Sequence, residues 1–228
     1  MNKLNDPKSP NNPSNTAPDS TAANPPPKHI ERRSPIVDLL AQLQSLGLSI
    51  IKQGPYLSML ALTELVARFF MGAPFQRYSR ITPNLHVSGQ HRKKGWPILV
   101  NRGITAVINL RIEYDDATVG IVPSRYLHLK IIDNTPPTFE QLQTAVDFIR
   151  QEIDGEGKVY IHCAAGVGRA PTIAASYLVS TGLTPDQAWS KIRAVRPFIR
   201  PTVGQIAAIE GYAEHLKAKQ NVQSSAAS

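Results

Sequence analysis

The segment KVYIHCAAGVGRAPT, residues 158–172, allows few folds. Its first five residues read as a buried strand. CAAGVGR follows, a run of small side chains with two glycines that lets the backbone curl tightly. Pro171 then falls in a first helical turn, where a missing N–H costs little, so a helix is expected from Ala170. A buried strand feeding a tight loop and then a helix is an α/β unit. It calls for neighbouring strands and for helices on the sheet faces.

The flanking sequence supplies them. LHVSG (85–89) reads as a short strand, and ITAVINL (104–110) and YLHLKII (126–132) as strands of the buried, β-branched type. TFEQLQTAVDFIRQEI is an amphipathic helix with Phe139, Leu142, Val146, Ile149 and Ile153 on one face. Thr138 with Gln141, Thr184 with Gln187 and Thr202 with Gln205 are capping boxes that each open a helix. The expected fold is α/β, a central sheet flanked by helices in αβα layers, with the tight loop between a buried strand and a helix.

Four regions follow along the chain. Residues 1–35 are rich in Pro, Asn and Ser and too poor in apolar side chains to offset the entropy of ordering, so they are expected to be a disordered tail. Residues 36–76 form an apolar helical extension, with Ser34 as N-cap and Pro35 at the first helical position. QGP at 53–55 breaks it into two helices, the second carrying Glu64 and Arg68 as an i,i+4 pair. No uncharged stretch in it approaches the roughly 20 residues a bilayer needs. It either covers the core, the reading preferred here, or lies on a membrane surface. Residues 77–220 hold the strand–helix alternation and are expected to form the α/β domain, and 221–228 a flexible end.

Cys163 is the only cysteine in 228 residues. It cannot form an internal disulfide, and the N-terminus MNKLNDPKSP lacks the apolar run of a secretory signal. A reduced thiol in the cytoplasm is expected. Its position gives it chemistry. A curled backbone turns successive N–H groups inward, and the helix N-terminus adds partial positive charge. Arg169 supplies a planar fork for two oxygens. The cradle made by Ala164, Ala165, Gly166, Val167, Gly168 and Arg169 fits a phosphate dianion, with Cys163 beneath the phosphorus. The same groups favour the thiolate, which is the nucleophilic form.

His162, Cys163, Gly166, Arg169 and the flanking segments SRITPNLHVSGQ, GITAVINLR, LHLKIIDNTPP and VRPFIRPTVGQ resemble the protein tyrosine phosphatase superfamily, in its compact dual-specificity branch. The resemblance spans roughly Arg77 to Leu216. It implies the αβα fold, a cysteinyl-phosphate intermediate on Cys163, phosphate binding by the loop and Arg169, and a general acid. Asp133, after a strand and before Pro136-Pro137, matches the acid's place; Asp115 and Asp116 are its rivals. His162 is expected to steady the loop by a hydrogen bond. Ala170 departs from the family pattern, which has Ser or Thr there to assist departure of the thiolate.

No residue at 164, 165, 167 or 168 is charged. That favours phosphotyrosine and phosphoserine or phosphothreonine in proteins over inositol lipids or phosphatidylglycerophosphate, whose phosphatases often add basic residues in this loop. A phospholipid phosphatase at a membrane surface is the alternative, and a phosphoprotein-binding pseudophosphatase a second. The net charge of +8 suits acidic partners. HRKKGW (91–96), Arg111, Lys130, Arg193, Arg196 and Arg200 are candidates to extend phosphate recognition. The expected partners are a phosphorylated protein and, through 36–71, an anionic membrane surface. No nucleic acid, cofactor or metal is expected, since the six histidines show no metal-ligand spacing.

Overall fold

A computed structural model describes residues 53–226 and, before them, Val37, Leu40, Leu43 and Gln44, which are helical. The expected 1–35 tail and the Ser34–Pro35 helix start lie outside the described residues. The first helix described throughout, α1 (Pro55–Met71), starts at a proline behind Gly54 and ends at Gly72, whose φ is 77°. Then follow β1 (Leu85–Gly89), α2 (Trp96–Asn101), β2 (Ala106–Arg111), β3 (Arg125–Ile131), α3 (Phe139–Asp154), β4 (Val159–Cys163), α4 (Arg169–Ser180), α5 (Pro185–Val195) and α6 (Val203–Ala226). Helix α6 continues past Asn221, where loose chain was expected.

The sheet is four-stranded and parallel in the order β1-β4-β2-β3. Strand β4 is therefore central, paired with β1 from Leu85↔Val159 to Gly89↔Cys163. Strand alternation sorts its residues. Val159, Ile161 and Cys163 join the main core with Ile108, Leu110, Ile149 and Ile173. Tyr160 faces the other layer, with Ala73, Leu99, Ile104 and Val107. Strand β3 corrects an expectation: at one edge of the sheet it is half-exposed, with Leu127 and Leu129 only partly covered, whereas β1 at the other edge is buried.

The capping boxes at Thr138–Gln141 and Thr184–Gln187 are formed, and Thr202 and Gln205 exchange the same pair of bonds. Helix α4 starts at Arg169, one residue before the position read from Pro171. Among the described residues no helix is long and apolar enough to cross a membrane.

Candidate active site

Loop 164–168 leaves the C-terminal end of β4, and each of its five carbonyls is held from outside. The Ala164 oxygen accepts from Gln90 N–H at 3.0 Å and from Arg68 Nη1 at 3.2 Å. The Ala165 and Gly166 oxygens accept from Arg196, through Nη2 at 3.1 Å and Nε at 2.7 Å. Val167 O takes the Arg200 N–H at 2.6 Å, and Gly168 O takes the Thr172 N–H and hydroxyl at 3.1 and 2.9 Å. In a trans peptide the C=O and the next N–H point opposite ways. Five outward carbonyls therefore leave the N–H groups of 165–169 turned inward, an anion nest. The Gly166 N–H lies 3.2 Å from Cys163 Sγ.

Two glycines make this geometry attainable. Gly166 has φ of 72°, and a side chain there would strike the Ser88 and Gly89 backbone. A side chain at Gly89 would occupy the path Arg68 takes to Ala164 O.

Cys163 is buried at the base of the loop. Arg169 is buried too. Its Nη1 donates to Ile131 O (2.9 Å) and Leu110 O (3.2 Å), at the ends of β3 and β2, and its Nη2 to Glu113 Oε1 (3.3 Å). Its Nε is 3.0 Å from Asp133 Oδ1, yet that N–H has no acceptor in line. The contact is an ion pair by distance that leaves one donor for an oxyanion. Burial lowers the Arg169 pKa, and the charges of Cys163, Asp133 and Glu113 more than offset it, so the guanidinium is held above its usual value. Glu113 mirrors it: burial raises its pKa, and Arg169 and Arg111 bring it below the ordinary carboxylate range.

Asp133 follows β3 and is mostly exposed, at the mouth of the loop beside Arg169. Asn134, next to it, takes φ of 62° and turns the chain there. Its two rivals are used otherwise. Asp115 accepts from Ala117 N–H and Tyr126 OH, at 3.0 and 2.8 Å. Asp116 is fully buried, with Oδ2 2.6 Å from His162 Nε2 and Oδ1 accepting from Gln90 Nε2 at 2.6 Å.

That pairing corrects the reading of His162. The histidine alternates to the face of β4 opposite Cys163, so its ring reaches Asp116 and not the loop. There it packs edge-on to His91 and stacks on Tyr160. His91, Asp116 and His162 are also brought close enough to share a metal ion, although they are remote in sequence. Asp116 is engaged with His162 Nε2 and Gln90, and His91 Nε2 with the Ile121 carbonyl, while the Nδ1 atoms of both histidines are buried without a hydrogen-bond partner.

Arg111 and Arg196 are corrected as well: both are buried and hold the frame. Arg111 donates to Glu113 Oε1 (2.9 Å) and Gln90 Oε1 (3.2 Å). Arg196 Nη1 reaches Tyr78 O (2.9 Å) and Glu64 Oε1 (3.3 Å). Glu64, read as half of a helix-surface pair, is buried and accepts also from Ser88 Oγ (2.8 Å) and Phe75 N–H (3.2 Å). Its partner Arg68 is buried beside Gly89. The inner side of α1 thus braces the back of the loop, a role that helical spacing alone did not signal. Ala170 is fully buried in the main core at the start of α4.

A family profile described as "Polymorphic toxin system, DSP-PTPase phosphatase" matches residues 85–183, the stretch that holds β1, β4, the loop and α4. Dual specificity protein phosphatase 14 of Mus musculus is 30% identical over 146 residues, 64% of this chain and 73% of that protein. The chain belongs to the dual-specificity phosphatase family. Another relative is phosphatidylglycerophosphate phosphatase PTPMT1 of Arabidopsis thaliana, 29% identical over 153 residues. The chain spans 45% of that protein, and 21% of dual specificity protein phosphatase 8 of Mus musculus. Among solved structures, PTPMT1 matches with a TM-score of 0.57 and 22% identity, covering 63% of this chain and 98% of that one. Tk-PTP in its active form matches at 0.54 and 27%, covering 60% and 95%.

Proposed function

We propose that this family member hydrolyses phosphomonoesters through a cysteinyl-phosphate intermediate, with phosphotyrosine and phosphoserine or phosphothreonine of proteins as its substrates. The observation that carries the reading is the loop with five outward carbonyls, which aims its N–H groups at one point above Cys163 Sγ. A phosphate there meets the nest and the free N–H of Arg169 Nε. Sγ attacks phosphorus, the P–O bond to the leaving group breaks, and Asp133 gives that oxygen its proton. Water then attacks phosphorus as Asp133 takes its proton, the S–P bond breaks, and inorganic phosphate and the thiolate are released. The uncharged loop side chains and the exposed position of Asp133 favour a phosphate on a broad polypeptide surface.

A phospholipid substrate is the second reading. The observation in its favour is the apolar outer side of α1, with Tyr56, Met59 and Phe70 exposed.

The test sets a phosphotyrosine peptide, a phosphothreonine peptide and a phosphatidylglycerophosphate dispersion side by side. Turnover of the peptides well above the lipid supports the first reading, and the reverse order the second. Cys163→Ser is expected to abolish turnover of all three while still binding orthovanadate, because a serine hydroxyl does not supply the anion. Activity of that variant within tenfold of the parent overturns the nucleophile.

A further inference from the structure

Helix α1 is built the wrong way round for a helix on a water-facing surface. Its only two charged residues, Glu64 and Arg68, are buried. Its exposed side presents Tyr56, Met59, Leu62, Val66, Phe69 and Phe70 and no charge at all. These positions recur at helical spacing, so they form one continuous stripe. An apolar stripe of this kind on a folded domain marks a surface that something covers.

The surroundings say what covers it. The stripe ends beside the exposed Lys93 and Lys94, since Arg92 N–H bonds to Gly72 O just past the helix end. The Arg92 guanidinium stacks 4.7 Å over the Phe69 ring, which joins the basic patch to the apolar one. Arg77 and Arg80 are exposed on the segment that follows the helix. Apolar and aromatic side chains bordered by Lys and Arg, with no outward carboxylate on the helix, match an acyl layer under anionic headgroups. A second copy of the chain would offer this face no countercharge from its own α1.

We propose that the outer side of α1, together with Arg92, Lys93 and Lys94, docks the enzyme on an anionic membrane surface. The inner side of the same helix braces the phosphate loop, so docking holds the catalytic loop at the lipid boundary. The proposal concerns where the enzyme sits and stands apart from which phosphate it cleaves.

The experiment is sedimentation of the full chain with phosphatidylcholine vesicles, with and without phosphatidylglycerol, at low and high salt. Light scattering of the protein alone runs in parallel. Binding is expected only to the anionic vesicles and is expected to weaken with salt. Lys93→Glu with Lys94→Glu should reduce it by at least about thirtyfold, the combined worth of two lysines near such a surface. Met59→Ser with Phe70→Ser should reduce it at least tenfold while hydrolysis of a soluble aryl phosphate stays unchanged, which shows that the fold is intact. Equal binding to neutral vesicles, or variants that bind like the parent, overturns the proposal. So does a parent that ignores vesicles: if its mass then rises with concentration and the Met59/Phe70 variant stays monomeric, a second copy is the occupant. If it stays monomeric throughout, the chain's own residues before 53 are.

Discussion

The phosphate loop has two sides that are built differently. The side proposed to face substrate is made by neighbours in sequence, Cys163 to Arg169, joined by the distant Asp133. The side facing away is held by Arg68, Gln90, Arg196 and Arg200, drawn from α1, the end of β1 and the segment after α5. The first side carries the groups proposed for the chemistry, and the second fixes their positions. A loop of small residues has no side chains with which to hold itself, so its rigidity has to be imported.

Substitutions on the two sides should therefore fail in different ways. Asp133→Asn, at the mouth, is expected to slow turnover by about 10²–10⁴-fold. The loss should be greatest with alkyl phosphates and smaller with activated aryl phosphates, and the melting temperature should hold. An equal loss on both substrates, or a large drop in melting temperature, breaks the distinction. Glu64→Gln, on the far side, leaves Arg196 buried without its countercharge. Breaking a buried pair in this way costs about 3–5 kcal/mol, and a chain of this size should lose about 10 °C in melting temperature. Its KM should rise as the carbonyl brace loosens, while the leaving-group dependence stays that of the parent. A stable variant with altered leaving-group dependence would move Glu64 to the chemical side.

Acid sharpens the comparison, because buried histidines lie in the frame and not at the mouth. Burial, aided by neighbouring positive charge, pushes His86 and His91 down to about 4. The unfolded chain protonates them near 6.5, so between about pH 6.5 and 4 it binds protons that the folded state refuses. Stability is then full above pH 6.5 and falls as pH drops, by about 3 kcal/mol for each histidine. Chemical denaturation across that range checks the sign, and His86→Gln should flatten the slope. Ala170→Ser carries the smallest effect. A hydroxyl there would help the sulfur accept charge as the phosphoryl group leaves, speeding a rate-limiting second step by up to about tenfold. Rapid mixing of the parent with an aryl phosphate should show a product burst near one equivalent, and the serine variant should shrink it. No burst and no change in steady rate would mean that other donors already serve the sulfur.

The sequence was legible where structure is local. The loop, the strand before it, the helix after it and the capping boxes are each set within a few residues, and the place of Asp133 beside Arg169 follows from a strand and proline frame that are local too. The buried frame was not legible. Glu64 and Arg68 have the spacing of an ordinary surface pair, and only the tertiary fold turns them inward. Asp116 looked like a rival acid, whereas it pairs with His162, 46 residues away. Arg111 and Arg196 resembled members of a basic surface because charge in a sequence carries no sign of burial. Helix α1 was posed as a choice between packing on the core and lying on a membrane. Its two sides differ enough that the first does not exclude the second.

The bond between Glu64 and Arg196 joins positions 132 residues apart. On the ribosome, Cys163 and its whole loop emerge before Arg196, which holds the loop carbonyls. Contacts closed over so long a stretch come late, since the chain entropy lost in closing the stretch is repaid only once the rest is in place. The nascent chain therefore presents its thiol before the loop is braced, and catalytic competence is expected to be acquired late. In refolding from denaturant, helix content should recover before turnover does, and simultaneous recovery would count against this order.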